Sequence, residues 1–148
     1  MNLEQYFTVS HSDYTQYTFY SEGPNGRIEK VISFNRIPNM SENFYNLSFG
    51  DWDHRLLKIN HLAISNNSDL EKILATVAST VFKFLVRHPY AFVYAEGATL
   101  SRTRLYPMKI AAHWLTICKL MHAYGWINNQ WKPFQKGVNY EAFLAELK

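Results

Sequence analysis

The chain has 148 residues, 47% hydrophobic and 16% aromatic, which suits one domain with a real core and excludes a disordered tail. Fifteen Lys and Arg against twelve Asp and Glu leave a formal charge of +3, and no basic run gathers them, which argues against a dedicated duplex-DNA binder. A single cysteine, Cys118, excludes an internal disulfide, fits a reducing compartment and, among apolar neighbours, reads as a buried thiol rather than a nucleophile.

The opening segment, MNLEQYFTVSHSDY, has neither the basic nor the apolar region of a signal peptide. No apolar run reaches the roughly 20 residues of a membrane span. The expectation is a cytoplasmic protein with no membrane partner. Strands then follow. Tyr14 to Ser21 and Arg27 to Ile37 are aromatic or β-branched, and Pro24, Asn25 and Gly26 between them supply turn chemistry. Alternation of Ile28, Lys30 and Ile32 against Glu29, Val31 and Ser33 is imperfect, so both faces are expected to be partly covered. Asn43 to Asp51 sets Tyr45, Leu47 and Phe49 against Asn46 and Ser48, and Leu56 to Ser65 is read as a fourth strand. Short connections favour an antiparallel meander.

The period then changes. Leu70, Ile73, Leu74, Val77, Val81, Phe84 and Leu85 recur at helical spacing, predicting a helix over Asp69 to His88 that Pro89 stops. Ser68 and Glu71 have the spacing of a capping box, with Asp69 favourable to the helix dipole. Ala91 to Gly97 is short and continuously apolar, as a central buried strand would be. Leu100 to Ile110 and His113 to Met121 read as further helices. Trp126 and Trp131 flank Asn128-Asn129 in an expected hairpin. The order is ββββ-α-β-α-ββ, an α+β fold with a mixed, largely antiparallel sheet in a single domain over residues 1–148.

Two polar groups are candidate sites. Arg102 and Arg104, with Thr99 and Ser101, open a predicted helix, where amides, dipole and guanidinium forks suit phosphate or carboxylate. The competing reading makes Thr99 or Ser101 an N-cap and pairs the arginines with acids such as Glu96. Asn66 and Asn67 lie between strand and helix, where open sheets often bind ligands, although turn and cap roles explain much of that cluster. Glu96 is the carboxylate best placed for a general base. The six histidines lack metal-site spacing, so no metal is expected. The C-terminal aromatics Trp114, Tyr124, Trp126, Trp131 and Phe134 suit core packing or self-association.

The long helix after a four-strand meander, and "SRTRLYPMKI" with Tyr106 at a family tyrosine position, are similar to the GNAT acetyltransferase superfamily. More closely, the segments "YTFYSEGPNGRIEKVISF", "YNLSFGD", "SNNSDLEKILATVASTVFKF", "YAEGATLSRTRLYPM" and "WKPFQKGVNYEAFL" resemble an uncharacterised bacterial family of proteins of about this length, classed as a domain of unknown function. Active GNAT enzymes carry Q/R-x-x-G-x-G/A before the long helix, so that backbone amides close on the pyrophosphate of acetyl-coenzyme A. This chain has "NNSDLEKIL" there, without glycine. The resemblance therefore implies a GNAT-like binding or regulatory domain without catalysis and without a cofactor. Its partner is left open between another protein, its own copy and a phosphate-bearing ligand. The alternative is an atypical acyltransferase, toxin-like, acting on RNA or protein, with Tyr106 as the acid.

Overall fold

The structure, a computed structural model, describes residues 4–11, 13–40, 43–60, 67–96, 119–135, 138 and 140–148. Strands β1 (Val9–His11), β2 (Gln16–Gly23), β3 (Gly26–Arg36) and β4 (Phe44–Asp53) form an antiparallel meander. Pro24-Asn25 makes the turn between β2 and β3, and Gly26 follows at φ +87°. Three expected strands are present with shifted ends; β1, only three residues long, was not expected. The expected fourth strand is cut back. Here β5 (Lys58–Asn60) pairs with Asp51–Asp53 of β4, Leu56 and Leu57 belong to the turn, and residues 61–66 lie outside the described residues.

Helix α1 (Leu70–Arg87) lays one face on the meander. Ile73, Val77, Val81, Phe84 and Leu85 meet Tyr17, Phe19, Ile32, Phe34 and Val93 in the main core. Phe84 is fully buried, with the Phe34 ring stacked 4.2 Å away and the His88 ring 4.3 Å away. Burying one such side chain contributes roughly 1.5–3 kcal/mol. Leu70, counted into the helical stripe by its spacing, is 41% exposed and outside the core. Val31 faces away from Ile32 by alternation and is also buried, so β3 is covered on both faces as expected.

After α1 the chain enters β6 (Phe92–Glu96), which runs parallel to Phe44–Asn46 of β4 and antiparallel to β9 (Ala142–Leu147). The expected central strand is present over Phe92–Glu96 with partners on both sides; Val93 is buried, Phe92, Tyr94 and Ala95 are partly buried, and Gly97 lies outside the described residues. Strands β7 (Met121–Ile127) and β8 (Gln130–Pro133) form the hairpin around Asn128 and Asn129, at φ +53° and +60°, and Trp126 pairs with Trp131. Both asparagines hold the left-handed conformation that this tight turn requires. The order across the sheet is β1-β2-β3-β4-β6-β9-β7-β8, with β5 beside β4. This is α+β, with a large, mostly antiparallel sheet and one described long helix.

Two corrections concern the C-terminal third. Met121 begins β7, so the helix expected over His113–Met121 does not reach it; Lys119 and Leu120 are helical, while Leu100–Ile110 and His113–Cys118, Trp114 and the Cys118 thiol among them, lie outside the described residues. A third strand, β9, follows the hairpin and inserts between β6 and β7. Its residues, AFLAEL, lack alternation because both faces are packed: Ala145 and Leu147 lie against the main core, Phe143 joins Phe134 and Tyr140 in a second one, and Leu144 is buried on the other side.

Candidate functional site

The entrance to α1 holds the densest set of polar side-chain contacts among the described residues. Ser68 is left-handed, at φ +59°, and turns the chain so that Asp69 becomes the N-cap residue, with the Ile73 amide donating to its carbonyl at 2.9 Å. The expected capping box from Ser68 to Glu71 is not formed. Asp69 is the cap, yet its carboxylate makes no bond to the helix amides. Instead the Tyr6 and Ser21 hydroxyls both donate to Asp69 Oδ2 at 2.5 Å. Two hydroxyl donors from distant segments compete successfully with local amides, and a charge-assisted O–H···O⁻ bond is a strong one. These partners lie 63 and 48 positions away, beyond any local motif.

Asn67 completes the group. Only 2% exposed, it donates through Nδ2 to Ser21 Oγ (3.1 Å) and the Gly26 carbonyl (2.9 Å), and accepts from the Asn25 amide at 2.7 Å. Its side chain thereby ties the β2–β3 turn to the start of α1. The backbone passes so close that a Cβ on Gly23 would stand 2.1 Å from the Asn67 carbonyl oxygen. Tyr6 anchors the N-terminal segment to the same place. Its amide donates to Thr76 Oγ1 (2.8 Å), its ring stacks on Phe19, and Lys72 Nζ sits 4.3 Å from its centroid. Burial, then the hydrogen bond to Asp69, pushes the Tyr6 phenol above its ordinary pKa. Nearby on the same sheet face, the buried Lys30 ammonium is paired with Asp51.

A second polar set lies on the sheet face away from α1. The Tyr124 hydroxyl donates to Glu146 Oε2 at 3.2 Å, and His122 stands opposite Glu146 in the ladder. Burial, then the Glu146 charge, raises the Tyr124 phenol. Beside them Trp131 meets Tyr94 and Trp126 edge-on, at centroid distances of 6.1 and 5.2 Å. His54 lies in the β4–β5 turn and reaches Glu29 Oε1 at 2.7 Å. No group of three or more His, Cys, Asp or Glu among the described residues is arranged to hold a metal.

Of the candidate site residues expected from the sequence, Asn67 is the one whose side chain is described, and its amide is engaged within the protein on three sides. Glu96 ends β6, opposite Ala142 in the ladder. Asn66, Thr99, Ser101, Arg102, Arg104 and Tyr106 lie outside the described residues. Tyr6, Ser21, Lys30 and Asp51 escaped sequence reasoning as a group; the one signal was Lys30 standing in line with Ile28 and Ile32. No buried side-chain nitrogen or oxygen among the described residues lacks a hydrogen-bond partner. Chemically, the carboxylate, hydroxyls and amide at the α1 entrance act on one another and hold the chain entry in place.

A family model described as "Family of unknown function (DUF6934)" matches residues 2–148. No curated protein and no solved structure matches the chain.

Proposed function

The chain belongs to this family of unknown function, and on that premise we propose that it is a single GNAT-like domain that binds a ligand and does not transfer an acyl group. One observation carries this reading. The stretch entering α1, where a GNAT enzyme closes glycine amides around pyrophosphate, has no glycine and is filled by Asn67, left-handed Ser68 and the Asp69 carboxylate. A carboxylate at that helix terminus opposes a pyrophosphate, and a buried, fully engaged asparagine cannot open without losing its bonds. The long helix returning to a strand parallel to β4 supports the GNAT-like comparison; fold alone does not carry activity.

The ligand proposed is a phosphate-bearing or other anion held by Arg102 and Arg104 with Thr99 and Ser101. Asn66 and Asn67 border it, with the Asn67 side chain acting as a fixture and not as a donor. Calorimetry with acetyl-CoA should register no binding at micromolar affinity; a micromolar complex overturns the reading. Phosphate, compared with chloride at matched ionic strength, should raise the melting temperature, by about 1.4 kcal/mol of stability at tenfold excess over its Kd. Arg102→Ala/Arg104→Ala should abolish that gain and keep the fold. If phosphate has no effect and the double variant is merely less stable, the arginines are structural.

A further inference from the structure

The turn between β4 and β5 carries two exposed leucines. Leu56 is 52% and Leu57 71% exposed, and neither belongs to a core cluster. The turn itself is well built: Asp53 Oδ1 accepts from the Arg55 and Leu56 amides at 2.9 and 3.0 Å, and the Leu57 amide donates to the Asp53 carbonyl at 2.8 Å. It closes with Leu57 at φ +55°, a left-handed position that glycine or asparagine would occupy without strain. A strained backbone bearing an exposed apolar side chain lowers both stability and solubility, and no core cluster among the described residues takes these side chains in. Such an outlier is a reason to look for function.

The charges around the tip say what would meet it. Arg55 and Lys58 are exposed and form no ion pair among the described residues. Asp51 is paired with Lys30 and Glu29 with His54, and Asp53, turned into the loop amides, is the one acid left in the turn against two cations. The tip thus presents Leu56 and Leu57 between Arg55 and Lys58 along the chain. Tip-to-tip contact between copies would oppose like charges. A protein partner gripping only this tip would bury far less than the roughly 1,000 Å² of a specific interface. Partition into a bilayer surface needs no matching pocket and gains with each apolar side chain and each cation.

We propose that the β4–β5 tip is a contact site for an anionic lipid surface, with Leu56 and Leu57 entering the interface and Arg55 and Lys58 at the headgroups. No described helix is long and apolar enough to cross a membrane, so the contact is superficial. It departs from the expectation of no membrane partner, which rested on the lack of a spanning segment.

The test is sedimentation of the full chain with vesicles of phosphatidylglycerol and phosphatidylcholine in equal parts, against pure phosphatidylcholine. Binding should favour the anionic vesicles by about tenfold or more and weaken with salt. Leu56→Ser/Leu57→Asn should reduce it by about tenfold or more, and so should Arg55→Gln/Lys58→Gln. Leu57→Asn alone should weaken vesicle binding and melt higher than the parent, which separates loss of contact from loss of fold. A protein that stays in the supernatant overturns the proposal, as it would if the tip served an acidic protein pocket. Binding that survives both leucine substitutions overturns it equally.

Discussion

Two left-handed residues that are not glycine, Ser68 and Leu57, stand at similar φ, +59° and +55°, in opposite settings. Around Ser68 the chain is held from every side. Asn67 is buried with three hydrogen bonds, and Asp69 receives two hydroxyls at 2.5 Å. Around Leu57 the backbone bonds are local, and the side chain is left in solvent. The same conformational cost, about 1 kcal/mol for an L-residue, is offset by long-range contacts in the first case and by no core contact among the described residues in the second. Strain therefore distinguishes a fixture from a site only when the contacts of its neighbours are read with it.

The contrast can be broken most severely at Gly23. A Cβ there would stand 2.1 Å from the Asn67 carbonyl oxygen, and a backbone atom cannot swing aside as a side chain would. Gly23→Ala should cost about 3 kcal/mol or more, read as a lower urea midpoint with an unchanged slope. Asn67→Ala should come next. It strips partners from the Ser21 hydroxyl, the Gly26 carbonyl and the Asn25 amide, at about 2–3 kcal/mol by the same measurement.

Tyr6→Phe removes one donor from Asp69 and leaves the ring on Phe19. The site is partly exposed, so solvent screens the effect, and about 1 kcal/mol is expected. Its signature is a pH dependence. The Tyr6 phenol titrates higher in the folded chain than its ordinary 10.0. Its contribution is complete below pH 10 and declines as pH rises through the raised value, because the unfolded chain then loses its proton first. The gap between parent and Tyr6→Phe should narrow in unfolding curves above pH 10. Tyr17 and Tyr124, also raised by burial, remain in both proteins and cancel from the comparison.

The smallest effect sharpens the contrast from the other side. Leu57→Asn should raise stability by about 1 kcal/mol, since asparagine accepts the left-handed turn. Ser68→Asn should gain less, because neighbours already hold that turn in place. Equal gains in thermal melts would mean that the two turns are strained alike.

Part of this fold follows from neighbours within a few residues. The spacing from Ile73 to Leu85 made α1, Pro89 ended it, and Asn128-Asn129 set the β7–β8 hairpin, because a helical stripe and a tight turn are local properties of the backbone. The tertiary structure alone decided the rest. Strand β9 could not be read because packing on both faces erases its alternation, and its place between β6 and β7 depends on partners far along the chain. The local rule gave Ser68 and Glu71 a capping box, but Tyr6 and Ser21 drew the Asp69 carboxylate to the sheet. Lys30 stands in line with Ile28 and Ile32, but its partner, Asp51, comes from the neighbouring strand. Each is a competition between near and distant partners, and only the folded chain brings the distant ones within reach.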